Sequence, residues 1–277
     1  SFPNAISLGS KSVVRQYHLV FDKIRGIVQM KRQANIEILV TGIMVILFVF
    51  PAVAAAAEPS LYSAASSLKL VMEEITKAYE VENGNSPTGV FAASGTLARQ
   101  MEMGAPYEFF LSANEEWARY LEEKGKLVSV RPLAECPLVL WWNREDAPSV
   151  DLLQSSKIRL AIADPAVAPF GVSAKEYLER KGTYQKLLEA KRLVLAGNVL
   201  QAVLSVKSGG VDVALIPLSI ALKLEGSWHR ISAEPVKLFY GFKNGDIAED
   251  AIAFLDFVKG PESRQIFRKN GFEPVSP

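Results

Sequence analysis

Leu61-Tyr62-Ser63-Ala64-Ala65-Ser66-Ser67-Leu68 changes its hydrophobic period partway along. Ser60–Ser63 is short and strand-like, whereas Leu68, Val71, Met72, Ile75 and Tyr79 recur at helical spacing with Glu73 and Glu74 turned outward. A strand that passes directly into an amphipathic helix is the building unit of α/β architecture. The same unit recurs after it. After the turn at Asn83-Gly84-Asn85-Ser86-Pro87 come a strand at Gly89–Ala93 and a helix at Leu97–Met103, closed by Gly104. Glu108–Ser112 then reads as a strand, and Glu115–Lys124 as a helix closed by Gly125.

Further along, Leu138–Trp142 and Arg159–Ala163 are continuous apolar runs of the kind found in buried strands. Ala174–Lys181 and Val199–Ser208 read as helices, Val211–Ile216 and Val236–Phe242 as strands, and Glu249–Val258 and Glu262–Lys269 as terminal helices. The alternation predicts an α/β protein with mixed sheets flanked by helices.

Three strand-to-helix junctions share one chemistry. Ala64-Ala65-Ser66-Ser67, Ala92-Ala93-Ser94-Gly95-Thr96 and Gly197-Asn198 each place small residues and free backbone N–H groups at a helix start. The helix dipole favours an anion there, and small side chains let it approach the backbone. Taken singly, each serine reads as an ordinary N-cap. Their repetition makes a candidate anion site on helix N-termini, without naming the anion.

The chain has 277 residues, 49% of them hydrophobic, enough for one or two domains with sizeable cores. Basic and acidic residues number 31 and 30, a balance that gives no footprint for nucleic acid. Met30-Lys31-Arg32, the uncharged run Ile38–Ala57 and its end at Val53-Ala54-Ala55-Ala56-Ala57 have the parts of a secretory signal peptide. A retained membrane anchor is the competing reading of the same run. Residues 1–29 are then an upstream segment or a short cytoplasmic tail, and residues 30–57 the signal peptide. Six basic and two acidic residues precede residue 58, so the exported part carries 25 basic and 28 acidic residues, a net charge of −3. An anion site in such a protein needs local positive potential. Cys136 is the only cysteine, which rules out an intrachain disulfide; it is expected to be buried.

Leu61–Leu68 with Met72-Glu73-Glu74-Ile75, then Ala93–Gln100 with Gly104-Ala105-Pro106, and then Phe110–Trp117 with Tyr120-Leu121 resemble the corresponding segments of the periplasmic molybdate-binding proteins. Ala163-Asp164-Pro165, Pro169-Phe170-Gly171, Ala174-Lys175-Glu176, Lys259-Gly260-Pro261, Ile266-Phe267 and Gly271-Phe272 continue the likeness over about residues 60–277. The resemblance implies a two-lobed type II periplasmic binding protein with the ligand cleft between the lobes. Residues 58–137 and 227–277 would form one lobe, and residues 138–226 the other. It implies that Ser67 and Ser94 hold an oxyanion by hydroxyl and N–H, joined by the backbone N–H groups of Phe170 and Val199. Where the family has a tyrosine donor this chain has Pro217, and Ile220 replaces the acid that follows. Ser219, Ser63 or a water takes the donor's place, or the ligand is another anion.

The function so implied is capture of molybdate or tungstate in the periplasm, by a monomer, for the permease and ATPase of an ABC importer. No cofactor is expected, nor any metal site for a cation. Binding of sulfate, phosphate or a carboxylate, or a membrane-anchored anion sensor, are the alternatives. No enzyme is expected, since His18 and His229 are isolated and no base–nucleophile pair can be assembled. Asp164-Pro165 reads as turn chemistry, Trp141-Trp142 as packing, and Lys223–Gly226 and Glu122-Glu123-Lys124 as solvated surface.

Overall fold

The computed structural model describes residues 59–275 apart from residue 156, together with residues 23, 25 and 29. The signal-like run and all but those three positions of the upstream segment lie outside the described residues. Among the described residues no helix is long and apolar enough to cross a membrane.

Two mixed sheets carry the fold. The first has six strands in the order β11-β4-β10-β3-β1-β2. Its members are β1 (Leu61–Ala65), β2 (Thr88–Ala92), β3 (Tyr107–Ser112), β4 (Leu127–Cys136), β10 (Val236–Lys243) and β11 (Glu273–Pro274). The second has five strands in the order β7-β6-β8-β5-β9. These are β5 (Leu138–Trp142), β6 (Leu160–Ala163), β7 (Leu193–Ala196), β8 (Val213–Pro217) and β9 (Ser227–Arg230). The chain crosses from the first sheet to the second at Pro137 and returns between Arg230 and Val236. The return therefore comes after β9, a few residues beyond the expected point at residue 227.

Within each sheet, parallel strands are followed by helices. In the first, β1 runs parallel to β2 and β3 and leads through a 3-10 turn at Ser66–Leu68 into α1 (Lys69–Asn83). Strand β2 leads to α2 (Ser94–Glu102), and β3 to α3 (Glu115–Glu123). In the second, β6 runs parallel to β7 and β8. Strand β6 leads to α4 (Pro169–Arg180), and after α5 (Tyr184–Glu189) β7 leads to α6 (Val199–Lys207). Strand β8 ends in the short α7 (Leu218–Ala221). Helices α8 (Glu249–Lys259) and α9 (Pro261–Lys269) follow β10 and return to the first sheet.

The apolar residues at helical spacing, Leu68, Val71, Met72, Ile75 and Tyr79, are all buried. Tyr62 stacks on Phe109 at 4.8 Å, and Tyr79 meets Phe254 edge-on at 5.0 Å, so β1, β3, α1 and α8 share one aromatic cluster. Full burial of each such ring contributes about 1.5–3 kcal/mol. In the second sheet Trp141 is fully buried on β5, and its indole N–H donates to the Glu225 carbonyl at 3.2 Å. A buried donor of this kind needs such a partner. The packing reading of Trp141-Trp142 therefore agrees with the structure. Cys136 is buried too, as expected.

Glu74, on α1, ties three elements together. Its carboxylate accepts from Lys269 at 2.9 Å, Asn270 at 3.0 Å and Lys223 at 3.2 Å. Lys223 follows α7, so this ion pair also bridges the two sheets. Lys223 is exposed, as its reading as solvated surface expects, and is engaged in this ion pair as well. Lys269 first, then Asn270 and Lys223, hold the Glu74 carboxyl at about 2, against a partial desolvation that works the other way. A carboxyl depressed on folding stabilises the fold fully above its ordinary value of 4.5, and loses that contribution as pH falls toward 2. Glu74→Gln is therefore expected to lower the melting temperature at neutral pH. Its melting temperature should also decline less steeply than the wild type between pH 4.5 and 2, as followed by circular dichroism.

Candidate functional site

The register of the parallel strands sets the site. Ala65 at the end of β1 pairs with Ala92 at the end of β2, and Ala163 of β6 with Ala196 of β7. Neighbouring strands thus stop side by side, and the helices that follow them start side by side at their carboxyl ends. In open α/β sheets that is where ligands bind.

At the first start, Ser67 is 2% exposed, and its hydroxyl has no hydrogen-bond partner among the described residues. A buried hydroxyl left without a partner is costly, which marks it as a donor waiting for a ligand or a water. At the second, Ser94 is buried as the first residue of α2, and its Oγ accepts from the Ala113 N–H at 3.0 Å. The Ser94 hydroxyl proton is still available, since a hydroxyl accepts and donates independently.

The other two starts come from the second sheet. In α6 the Asn198 side chain accepts from the N–H groups of Leu200 and Gln201, at 3.0 and 3.1 Å, and the Ala202 N–H reaches the Asn198 carbonyl. That capping leaves the Val199 N–H as the donor of the first turn with no intrahelical acceptor. In α4, Pro169 has no N–H, and Gly171 and Val172 both donate to the Ala168 carbonyl. Phe170 is left over by the same logic. Its side chain and that of Val199 are buried, so each residue presents backbone rather than side chain.

Contacts across the seam bring these starts together. Helix α6 and helix α7 both pack on the Ser66–Leu68 turn. The Gly95 N–H, one residue into α2, donates to the Val167 carbonyl, just ahead of α4, at 2.9 Å. The Ser219 hydroxyl of α7 donates to the Ser67 carbonyl at 3.2 Å. Ser67 is thus joined to the Val199 side of the second sheet, and Ser94 to the Phe170 side. Apart from Lys69, the first residue of α1, which pairs with Glu73 of the same helix, the segments at the four starts contain no lysine or arginine, so their positive potential comes chiefly from N–H dipoles and hydroxyls.

Pro217 ends β8, buried, opposite Leu138 of β5. It offers no donor. Neither serine expected to replace it is free to do so, because each hydroxyl already has an acceptor in the protein. Ser219 donates to the Ser67 carbonyl, and Ser63 to the Phe109 carbonyl at 3.4 Å. The Asp164 side chain accepts from the Ala166 N–H at 2.9 Å, and its carbonyl from Ala168, as a turn residue does. His229 is exposed on β9, and no group of three or more His, Cys, Asp or Glu among the described residues is placed to hold a metal ion.

Residues 61–273 match the family model described as bacterial extracellular solute-binding protein. That is a family of binding proteins, not of enzymes. The chain is 32% identical over 236 residues to the molybdate-binding protein ModA of Rhodobacter capsulatus, a match covering 80% of this chain and 90% of that one. It is 30% identical over 231 residues to the molybdate-binding protein ModA of Escherichia coli K12, covering 76% and 86%. Among solved structures it is similar to the periplasmic molybdate-binding protein of Azotobacter vinelandii. The TM-score is 0.71 and the identity 26%, with 79% of this chain and 99% of that chain covered.

Gly171 holds α4 against the end of β6. A Cβ there would lie 2.2 Å from the Ala163 carbonyl oxygen and 2.9 Å from the Asp164 carbonyl carbon, both backbone atoms that cannot swing aside. Gly171→Ala is expected to push the start of α4, and with it the Phe170 N–H, off the seam. The overpacking should destabilise the fold by about 1–3 kcal/mol, read as a lower midpoint in urea unfolding.

Proposed function

Because the chain belongs to the family of bacterial extracellular solute-binding proteins, we propose that it captures molybdate or tungstate outside the cytoplasm and delivers it to the permease and ATPase of an ABC importer. The observation that carries this reading is the buried Ser67 hydroxyl without a partner, set beside helix starts whose leftover N–H groups are those of Ser94, Phe170 and Val199. The names of the relatives supply the anion; the neutral donors supply the reason an anion suits the site.

A tetrahedral dianion entering the seam gives up its hydration. Each charge-assisted hydrogen bond from the protein contributes about 1.5–3 kcal/mol in return. Neutral donors suit a fully ionised oxyanion, which carries no proton to be recognised. Size selection then rests on how far apart the rigid helix starts stand, a spacing the larger molybdate and tungstate fill better than sulfate. Closure of the lobe built on the first sheet over the lobe built on the second, with the return after β9, shields the anion, and the closed form is the one that docks. The binding unit acts as a monomer in the periplasm, led there by the signal peptide of residues 30–57.

Pro217 supports a second reading, a site for another small anion such as sulfate or phosphate. With the Ser63 and Ser219 hydroxyls engaged, a water fills the place of the missing donor, or the ligand asks for one bond fewer.

Calorimetry with molybdate, tungstate, sulfate and phosphate separates the two. Saturable binding of molybdate and tungstate with sulfate far weaker is the expected result; the reverse order installs the second reading. Within the first reading, Ser67→Ala should weaken molybdate binding roughly 10- to 150-fold. Ser63→Ala, whose hydroxyl faces Phe109 and not the ligand, should leave the affinity within about threefold.

A further inference from the structure

The Ser66–Leu68 turn is a short piece of backbone with little of its own to hold it. It is a three-residue 3-10 turn between β1 and α1, and no side chain caps its start. The preceding residue is Ala65, which has no hydroxyl or carboxylate to offer. Yet this turn bears Ser67, whose N–H and hydroxyl are, with those of Ser94, the first-sheet donors of the reading above. Among the described residues, the side-chain hydrogen bond made to the turn comes from the other sheet: the Ser219 hydroxyl, 3% exposed, donates to the Ser67 carbonyl at 3.2 Å across 152 positions of sequence.

Ser219 is itself well placed to act as an anchor. Helix α7 is fixed at the first crossover, where the Leu218 N–H donates to the Pro137 carbonyl at 2.8 Å. The buried thiol of Cys136 lies beside it and donates to the Pro137 carbonyl at 3.7 Å, while burial pushes that thiol up to about 11 and keeps it neutral. A neutral sulfur is a weak acceptor and competes poorly for the hydroxyl proton, which goes to the Ser67 carbonyl. Leu218 and Leu222 of the same segment close on Gly271 of the first sheet's C-terminal segment, where a Cβ would meet them at 3.0 and 2.9 Å.

We propose that Ser219 is a positioning residue for anion binding: from the crossover between the sheets it fixes the Ser67 carbonyl, and so presents the Ser67 N–H and hydroxyl to the ligand only while the two sheets are in register. The inference rests on the anion-site reading for its consequence, but not for its geometry. The place of the missing donor at Pro217 is thus served indirectly: the nearby hydroxyl orients another donor instead of touching the anion.

Two measurements test it. In the ligand-free protein, Ser219→Ala should speed amide hydrogen exchange in a peptide spanning residues 64–71 about fivefold. A peptide spanning residues 94–102, on the neighbouring helix, should not change. With molybdate as the probe, stopped-flow fluorescence should show dissociation about fivefold faster with the association rate within twofold, since the bond holds the assembled site and not the approach to it. Ser219→Thr, which keeps the hydroxyl, should restore both readouts. Unchanged exchange in residues 64–71, equal loosening of both peptides, or no restoration by Ser219→Thr overturns the proposal. If the wild-type protein binds none of the four oxyanions while Ser219→Ala still loosens residues 64–71 alone, the positioning role stands and the anion reading falls.

Discussion

Where the parallel strands stop determines what the seam between the sheets can do. Strands β1 and β2 end level, as do β6 and β7, and the chain leaves β1, β2 and β7 through small residues. A helix start following a strand of this kind exposes N–H groups that its own turn cannot satisfy. If one strand slipped by a single residue, its pleat would invert and its helix start would move off the seam. The buried alternation of Tyr62, Ala64, Phe109 and Leu111 against the first core opposes any such slip. Packing in the sheets is in this sense what aims the donors.

The same seam explains why its residues are small. Gly95 lies against Trp117 and Val167, and Gly171 against the end of β6, so that neither position has space for a side chain. Close approach lets one lobe's backbone serve the other, as the bond from Gly95 to Val167 does. The site is electropositive through oriented dipoles, which is compatible with the net negative charge of residues 58–277.

Much of this was legible in the sequence, and the failures have physical causes. The change of period after Ser63 gave β1 and its helix, and Gly197-Asn198 gave the start of α6 with its cap. Strand β4 escaped notice because Arg131, Pro132 and Glu135 interrupt its alternation; it is half-exposed, and its pairing with β10 forms it in spite of its composition. The short strands β7 and β9 have too few residues to show a period. Helix α4 begins at Pro169 and not at Ala174, because Pro-Phe-Gly has the composition of a loop while proline at N1 in fact favours a helix start. Phe170 was for that reason visible only through resemblance. Bonds between distant segments, from Ser219 to Ser67 or from Lys223 to Glu74, leave no trace in local pattern at all.

Pro217 illustrates how a change at one position is absorbed by its surroundings. A proline at the end of β8 removes an N–H, but the strand ends there in any case, and Pro217 serves as the residue before α7 with an extended backbone. The strand loses little by it, because Leu138 and Val139 still pair with Pro217 and Ile216 across β5. The side-chain donor is what goes missing. The Ser219 hydroxyl, two residues on, is turned to the Ser67 carbonyl, and a hydroxyl has a single proton to give. Direct contact with an anion and support of the Ser67 turn are therefore exclusive uses of that proton, and the geometry favours support. On the proposed reading an anion here meets one side-chain donor fewer, and the Ser67 turn that remains is braced from the second sheet.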